Sequence, residues 1–157
     1  MVFESFEQNR PVVVSDYRAH PMTLPAFDKR GDRSIVFLPI VLDGSPGGVV
    51  AVDSNNLGHF TPDRVRLLTT AVERLGALLE NTALQHDLQS TGEEMDLADE
   101  ISKIITSTLD IEREFERFAV EAKKLVDFDR TSLPDLNRST TSFVIRGTFG
   151  VDIPSLR

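Results

Sequence analysis

From Val65 to Leu109 the apolar residues return at steps of three and four, a spacing that only a helix turns into one face. Val65, Leu68, Val72, Leu75 and Leu79 form the first stripe, widened by Leu67, Ala71 and Leu78. That width predicts packing on a sheet as well as on another helix. Near Asn81 the register changes. Leu84, Leu88, Thr91, Met95, Ala98, Ser102, Ile105 and Leu109 then continue in heptad steps of four and three, flanked by Leu97, Ile101 and Ile104. A shift between two heptad frames resembles a stutter in a coiled coil.

The helix has a marked beginning. Thr61 suits the N-cap, Pro62 the first helical position, and Asp63 the positive end of the helix dipole. Phe60 and Val65 are spaced to close a hydrophobic staple over that cap. Gly92 is a point of kinking or interruption. Asp110 is expected to cap a further helix, whose apolar face is Ile111, Phe115, Phe118, Ala119, Ala122, Leu125 and Val126.

Strand signals flank the helices. Pro11 to Val14 is a short β-branched run, Tyr17 to Arg33 a long polar loop, and Ser34 to Leu42 a strongly apolar strand. Asp43-Gly44-Ser45-Pro46-Gly47 turns the chain into a returning strand, Gly48 to Asp53. Both strands are apolar on nearly every residue, so this hairpin should be central and covered on both faces. Beyond the helices, Arg130 to Leu136 pairs plausibly with Thr141 to Thr148, and Pro134 predicts an edge or a bulge. Neither strand set makes a complete sheet by itself.

Composition narrows the function. The chain has 157 residues, 40% hydrophobic and 27% charged, with 25 acids against 17 bases and a net charge of -8. Between Pro62 and Phe128 there are 15 acids and 8 bases. Such a surface repels a phosphate backbone, which argues against nucleic acid, and disfavours an anionic membrane. There is no cysteine, hence no thiolate chemistry and no Cys-ligated zinc. The longest apolar run, Ile35 to Leu42, is too short to span a bilayer. No secretion signal is read at the N-terminus, so a cytoplasmic location is expected.

Several of these features together resemble a GAF domain. They are Val14-Ser15-Asp16 ending a strand, a variable loop, Ser34-Ile35-Val36-Phe37-Leu38-Pro39-Ile40, Gly48-Val49-Val50-Ala51-Val52, then Phe60-Thr61-Pro62-Asp63 and a helix closing on Leu79-Glu80-Asn81-Thr82-Ala83-Leu84. Residues 1–88 look like the C-terminal half of one such domain, and 89–109 like a helical linker. Residues 110–157 look like the N-terminal half of a second domain, with Leu109-Asp110-Ile111-Glu112 opening a helix and Phe128-Asp129-Arg130-Thr131-Ser132 leading into its first strand. The expected fold class is α+β: portions of an antiparallel sheet, flanking helices and a long connecting helix. The simplest reading is a fragment of a tandem protein. A less favoured one has the two halves complementing each other in a permuted or dimer-swapped way.

The resemblance implies a small-molecule pocket on the sheet face away from the helices, and dimers that signal through helices. It puts Asp16, Tyr17, Arg18 and His20 in the loop over the pocket. It also makes Leu68, Val72, Leu75, Leu84, Leu88, Met95 and Ile105 candidates for a dimer helix. The missing cysteines argue against the methionine-sulfoxide-reducing branch of the family and against an attached bilin, although Asp152-Ile153-Pro154 echoes a bilin-binding tripeptide.

Other motifs read as structure. His86-Asp87-Leu88 lacks the proline of a kinase phosphoacceptor box, Thr91 standing there. Gly44-Ser45-Pro46-Gly47-Gly48 lacks the Gly-Lys-Ser/Thr of a phosphate loop. Asp53, Ser54 and His59 include triad residue types without a nucleophile elbow. The expected function is a non-catalytic sensory and regulatory module with no metal and no cofactor. Its expected partners are a second copy, a small-molecule ligand and an effector domain outside this chain. The alternatives are a ligand-free dimerisation linker, or a piece of a sensor histidine kinase or nucleotide cyclase.

Overall fold

The computed structural model describes residues 1–21, 31, 33–89, 97–137 and 142–150. In chain order the elements are α1 (Val2–Gln8), β1 (Val12–Val14), β2 (Ser34–Leu42), β3 (Ser45–Ser54), α2 (Pro62–Gln89), α3 (Leu97–Leu125), β4 (Arg130–Asn137) and β5 (Ser142–Gly150). All five strands form one antiparallel sheet in the order β1-β2-β3-β4-β5. The fold is α+β.

The β2–β3 hairpin is central, as its continuous apolarity predicts. Alternate residues serve opposite faces. Val36, Leu38, Ile40, Val50 and Val52 point to a core shared with α2 and α3, while Ile35, Phe37, Val49 and Ala51 point to a second core under α1. The turn is tighter than the run of turn residues suggests. Asp43 and Gly44 both have positive φ, 49° and 73°, the backbone of a two-residue hairpin turn that matches strand twist. Strand β3 therefore starts at Ser45.

Helix α2 begins at Pro62, and the Val65 amide donates to Thr61 O at 2.9 Å. Phe60 is buried and Val65 packs on the same core, so the staple closes. Helix α3 runs unbroken through Asp110, which is therefore an interior position and not the expected cap. Its apolar face, Phe115, Phe118, Ala119 and Ala122, with Val126 just beyond the helix end, joins the core that β2, β3 and α2 share, and the helix packs on α2 and β5. Leu125, assigned to that face, is exposed. Helix α1 has too few turns for periodicity to register. Val2 and Phe6 hold it to the second core, and the Ser5 hydroxyl lies 2.9 Å from Arg10 O and 3.2 Å from Phe37 O.

One pairing joins the two incomplete strand sets into a single sheet. Ala51, Val52 and Asp53 of β3 lie opposite Ser132, Thr131 and Arg130 of β4. The late hairpin thus completes the early one, because the free edge of β3 exposes backbone groups that need partners. The register shifts between Leu133 and Pro134, a bulge where proline cannot donate to the ladder. Asp152-Ile153-Pro154 falls outside the described residues.

Gly76 decides how closely α2 lies on the sheet. A Cβ there would stand 2.8 Å from Val41 O. Alanine would gain about 1 kcal/mol of helix propensity, but overpacking against backbone costs about 1–3 kcal/mol. Gly76→Ala should lower stability, by about 1 kcal/mol or more, in a denaturant titration. An unchanged or raised midpoint would mean that α2 is free to lift from β2.

Candidate functional site

Two polar regions stand out, one at the junction of β3 with β4 and one beside β1 and β2. At the junction, Asp53 and Arg130 form a buried ion pair. Arg130 Nε donates to Asp53 Oδ2 at 3.2 Å, with the side chains 5% and 2% exposed. Around it, Asp129 accepts from the Ser54 hydroxyl at 3.1 Å and the Asn55 amide at 2.7 Å. The Asp129 amide donates to Asp53 O at 3.0 Å, and the Thr131 hydroxyl donates to Ala51 O at 2.9 Å.

His59 extends the junction. Its Nε2 is hydrogen-bonded to Asp127 O, and its Nδ1 lies 3.1 Å from Arg64 Nη1. A carbonyl can only accept and a guanidinium can only donate, so these partners select the neutral Nε2–H tautomer. Arg64 Nη1 also donates to His59 O at 2.7 Å. Lys123 closes the C-terminal end of α3, donating to Phe128 O at 2.6 Å with its ammonium 5.4 Å from the Phe128 ring centre. Asp53, Ser54 and His59, close in sequence, thus each hold a structural partner from the far end of the chain.

The second region is built by backbone pinning. The Tyr17 amide donates to Arg33 O at 2.7 Å, the Arg33 amide to Ser54 O at 2.9 Å, and the Gly58 amide to Ser15 O at 2.9 Å. These bonds close the base of the long loop against the sheet. Of the four predicted ligand residues, Tyr17 is 2% exposed in the second core with Val2, Phe6 and Phe37. Asp16 and His20 are half-buried and Arg18 is exposed. Asp16 accepts from the Arg18 amide at 3.2 Å and stands 3.9 Å from Arg33 Nη2. Arg33 was not among the residues singled out from sequence. Its Nε is buried with no hydrogen-bond partner among the described residues. An arginine at the end of a polar loop carries no periodic signal that could have found it.

Leu68, Val72 and Leu75, expected in the dimer helix, are buried in the helix–sheet core, where they cover β2 and β3. The side chains of Leu84, Leu88 and Ile105 lie outside the described set, as does all of Met95. Among the described residues no cluster of three or more acidic or His side chains could hold a metal, and no helix is long and apolar enough to cross a membrane.

Comparison with known proteins adds a family. Residues 1–80 match the family model described as GAF domain. Two solved structures align with half of this chain. One is type II free methionine-R-sulfoxide reductase from Thermoplasma acidophilum, at 20% identity over 50% of this chain and 54% of that one, with a TM-score of 0.45. The other is the GAF domain region of a protein from Geobacter sulfurreducens PCA, at 26% identity over 50% and 55%, with a TM-score of 0.46. This chain therefore spans about half the length of those structures. No curated protein matches it.

The Asp53–Arg130 pair gives a measurable asymmetry. Removing one partner of a buried pair leaves an uncompensated charge and costs about 3–5 kcal/mol. Arg130→Leu should therefore destabilise the chain by that order in chemical denaturation. The double change Asp53→Leu with Arg130→Leu should recover much of the loss. A double variant as unstable as the two single losses added together would show that the pair is not coupled.

Proposed function

Since this chain belongs to the GAF-domain family, we propose that it is a non-catalytic regulatory module. It takes a small molecule at the loop beside β1 and β2, and it passes the binding event through a dimeric helix to an effector outside this chain. The observation that carries the ligand is Arg33, whose buried Nε has no hydrogen-bond partner among the described residues and whose guanidinium stands 3.9 Å from Asp16. A buried donor left unmade costs about 1–3 kcal/mol, so a ligand acceptor placed there would recover that energy. Asp16, Arg18 and His20 lie on the same loop base and supply acceptor, cation and titratable ring. The lack of any cysteine supports a non-catalytic role, in contrast to a reductase whose chemistry uses thiols.

A second reading is favoured by Tyr17. Its ring is buried among Val2, Phe6, Val14 and Phe37, so that part of the expected pocket is filled by the chain itself. On that reading the module is structural, a dimerisation unit without a ligand.

A thermal-shift screen of cyclic nucleotides and other small anionic metabolites separates the two. A ligand at one hundred times its Kd should stabilise the chain by about 2.7 kcal/mol and raise Tm. Arg33→Gln should abolish the rise while leaving the unliganded Tm within a few degrees. If no compound moves Tm, the structural reading replaces the sensory one.

A further inference from the structure

We propose, resting on the small-molecule reading above, that Asp16 and Arg33 form a clasp for an α-amino acid with an apolar side chain. Asp16 takes the ammonium of the ligand and Arg33 takes its carboxylate.

The pair is held open. Arg33 is fixed on both sides of its Cα, its amide donating to Ser54 O and its carbonyl accepting from the Tyr17 amide. Asp16 is fixed through Oδ1, which accepts from the Arg18 amide at 3.2 Å. With both residues tied down, Asp16 Oδ2 stands 3.9 Å from Arg33 Nη2, beyond hydrogen-bond length. Each side chain is about a third exposed, 36% for Asp16 and 34% for Arg33, so a ligand can reach the pair. Arginine and carboxylate with free backbones close to a direct charge-assisted hydrogen bond. Held just out of contact, they are already organised for a third group and need little reordering to bind it.

Charge then selects among ligands. A simple anion on Arg33 would stand against the Asp16 carboxylate, in the field of a chain whose net charge is -8. A simple cation on Asp16 would meet the Arg33 guanidinium in the same way. A ligand that carries both charges a short distance apart satisfies both residues and adds no net charge to the site. An α-amino acid bears its ammonium and its carboxylate on one carbon, the arrangement that an acid and a base held just out of contact can bracket. The planar guanidinium suits the carboxylate end, and a carboxylate with one oxygen turned outward suits the ammonium.

An apolar group lies next to the clasp. Leu57 is 58% exposed, the most exposed large hydrophobic side chain among the described residues. It sits in the loop after β3, and the amide of the next residue, Gly58, donates to the carbonyl of Ser15 at 2.9 Å. Ser15 immediately precedes Asp16, so this bond ties the Leu57 loop to the acidic half of the clasp. An apolar ligand side chain laid over Leu57 would remove that exposed surface from water.

The test is a melting and calorimetry series on the full chain with L-leucine, L-methionine and L-phenylalanine. Two leucine analogues are run beside them at equal concentration, isocaproate, which lacks the amine, and isoamylamine, which lacks the carboxylate. At least one of the amino acids should raise Tm by about 2–4 °C or more at saturation. For leucine, neither analogue should match the effect. Asp16→Asn and Arg33→Gln should each weaken amino-acid binding at least about tenfold, the loss expected for one hydrogen bond to a charged group. The analogues act on the unaltered chain, so they decide the matter even where a variant fails to fold. Either analogue binding as tightly as leucine, or no amino acid raising Tm, would overturn the clasp. In that event the anionic compounds of the screen above show what else falls. A rise with one of them that Arg33→Gln abolishes leaves the sensory reading standing with a different ligand, and no rise with any compound removes both.

Discussion

Asp53 ends a strand whose preceding residues are apolar and buried, and a lone carboxylate there would cost several kcal/mol in lost hydration. The structure resolves this with a residue from the far end of the chain. Arg130 reaches Asp53 at 3.2 Å, and the same approach brings the β4 backbone onto the open edge of β3. Charge neutralisation and strand pairing thus occur at one place. The order of the sheet, the position of α3 over it and the anchoring of the loop after β3 all follow from that contact.

What could be read in the sequence was whatever repeats. The β2–β3 hairpin, the start of α2 and the bulge at Pro134 each come from a local rule that the structure obeys. Helix α1 was illegible because seven residues give barely two turns, and its hold on the sheet comes from Ser5 and Phe6 meeting residues some 30 positions away. The cap at Asp110 failed for the opposite reason. Its local signal was real, but the apolar frame on both sides continued through it, and helix propagation outweighs one competing polar side chain. Of the candidate site, the loop from Asp16 to His20 was legible through its length and composition, whereas Arg33 was not. An arginine just before a strand looks like any solvated residue until its backbone is seen tied to Tyr17 and Ser54.

Asp53, Ser54 and His59 show how proximity in sequence misleads. Three polar groups within seven residues suggest a shared site, yet each turns to a different partner beyond residue 126. Their common property is position. They line the end of the one strand that both parts of the chain use, and their polarity makes the junction specific where its apolar contacts would tolerate slippage. A register slip of one residue would strand Asp53 against the wrong side chain and send Thr131 to the opposite face.

The two polar regions are also mechanically joined. Arg33 donates its amide to Ser54 O, and Ser54 donates its hydroxyl to Asp129. The loop beside β1 and the β3–β4 junction therefore share a residue. Under the proposed function, a ligand that drew Arg33 toward itself would pull on the strand end that carries Ser54 and Asp53. The junction would feel that pull as a change in the geometry of a buried ion pair, an interaction far more sensitive to distance than apolar contact. Allosteric couplings of about 1–3 kcal/mol are ordinary in size. A single charge-assisted hydrogen bond gained or lost is worth about as much, so one bond at Ser54 or Asp53 is enough to link the ligand loop to the β3–β4 junction.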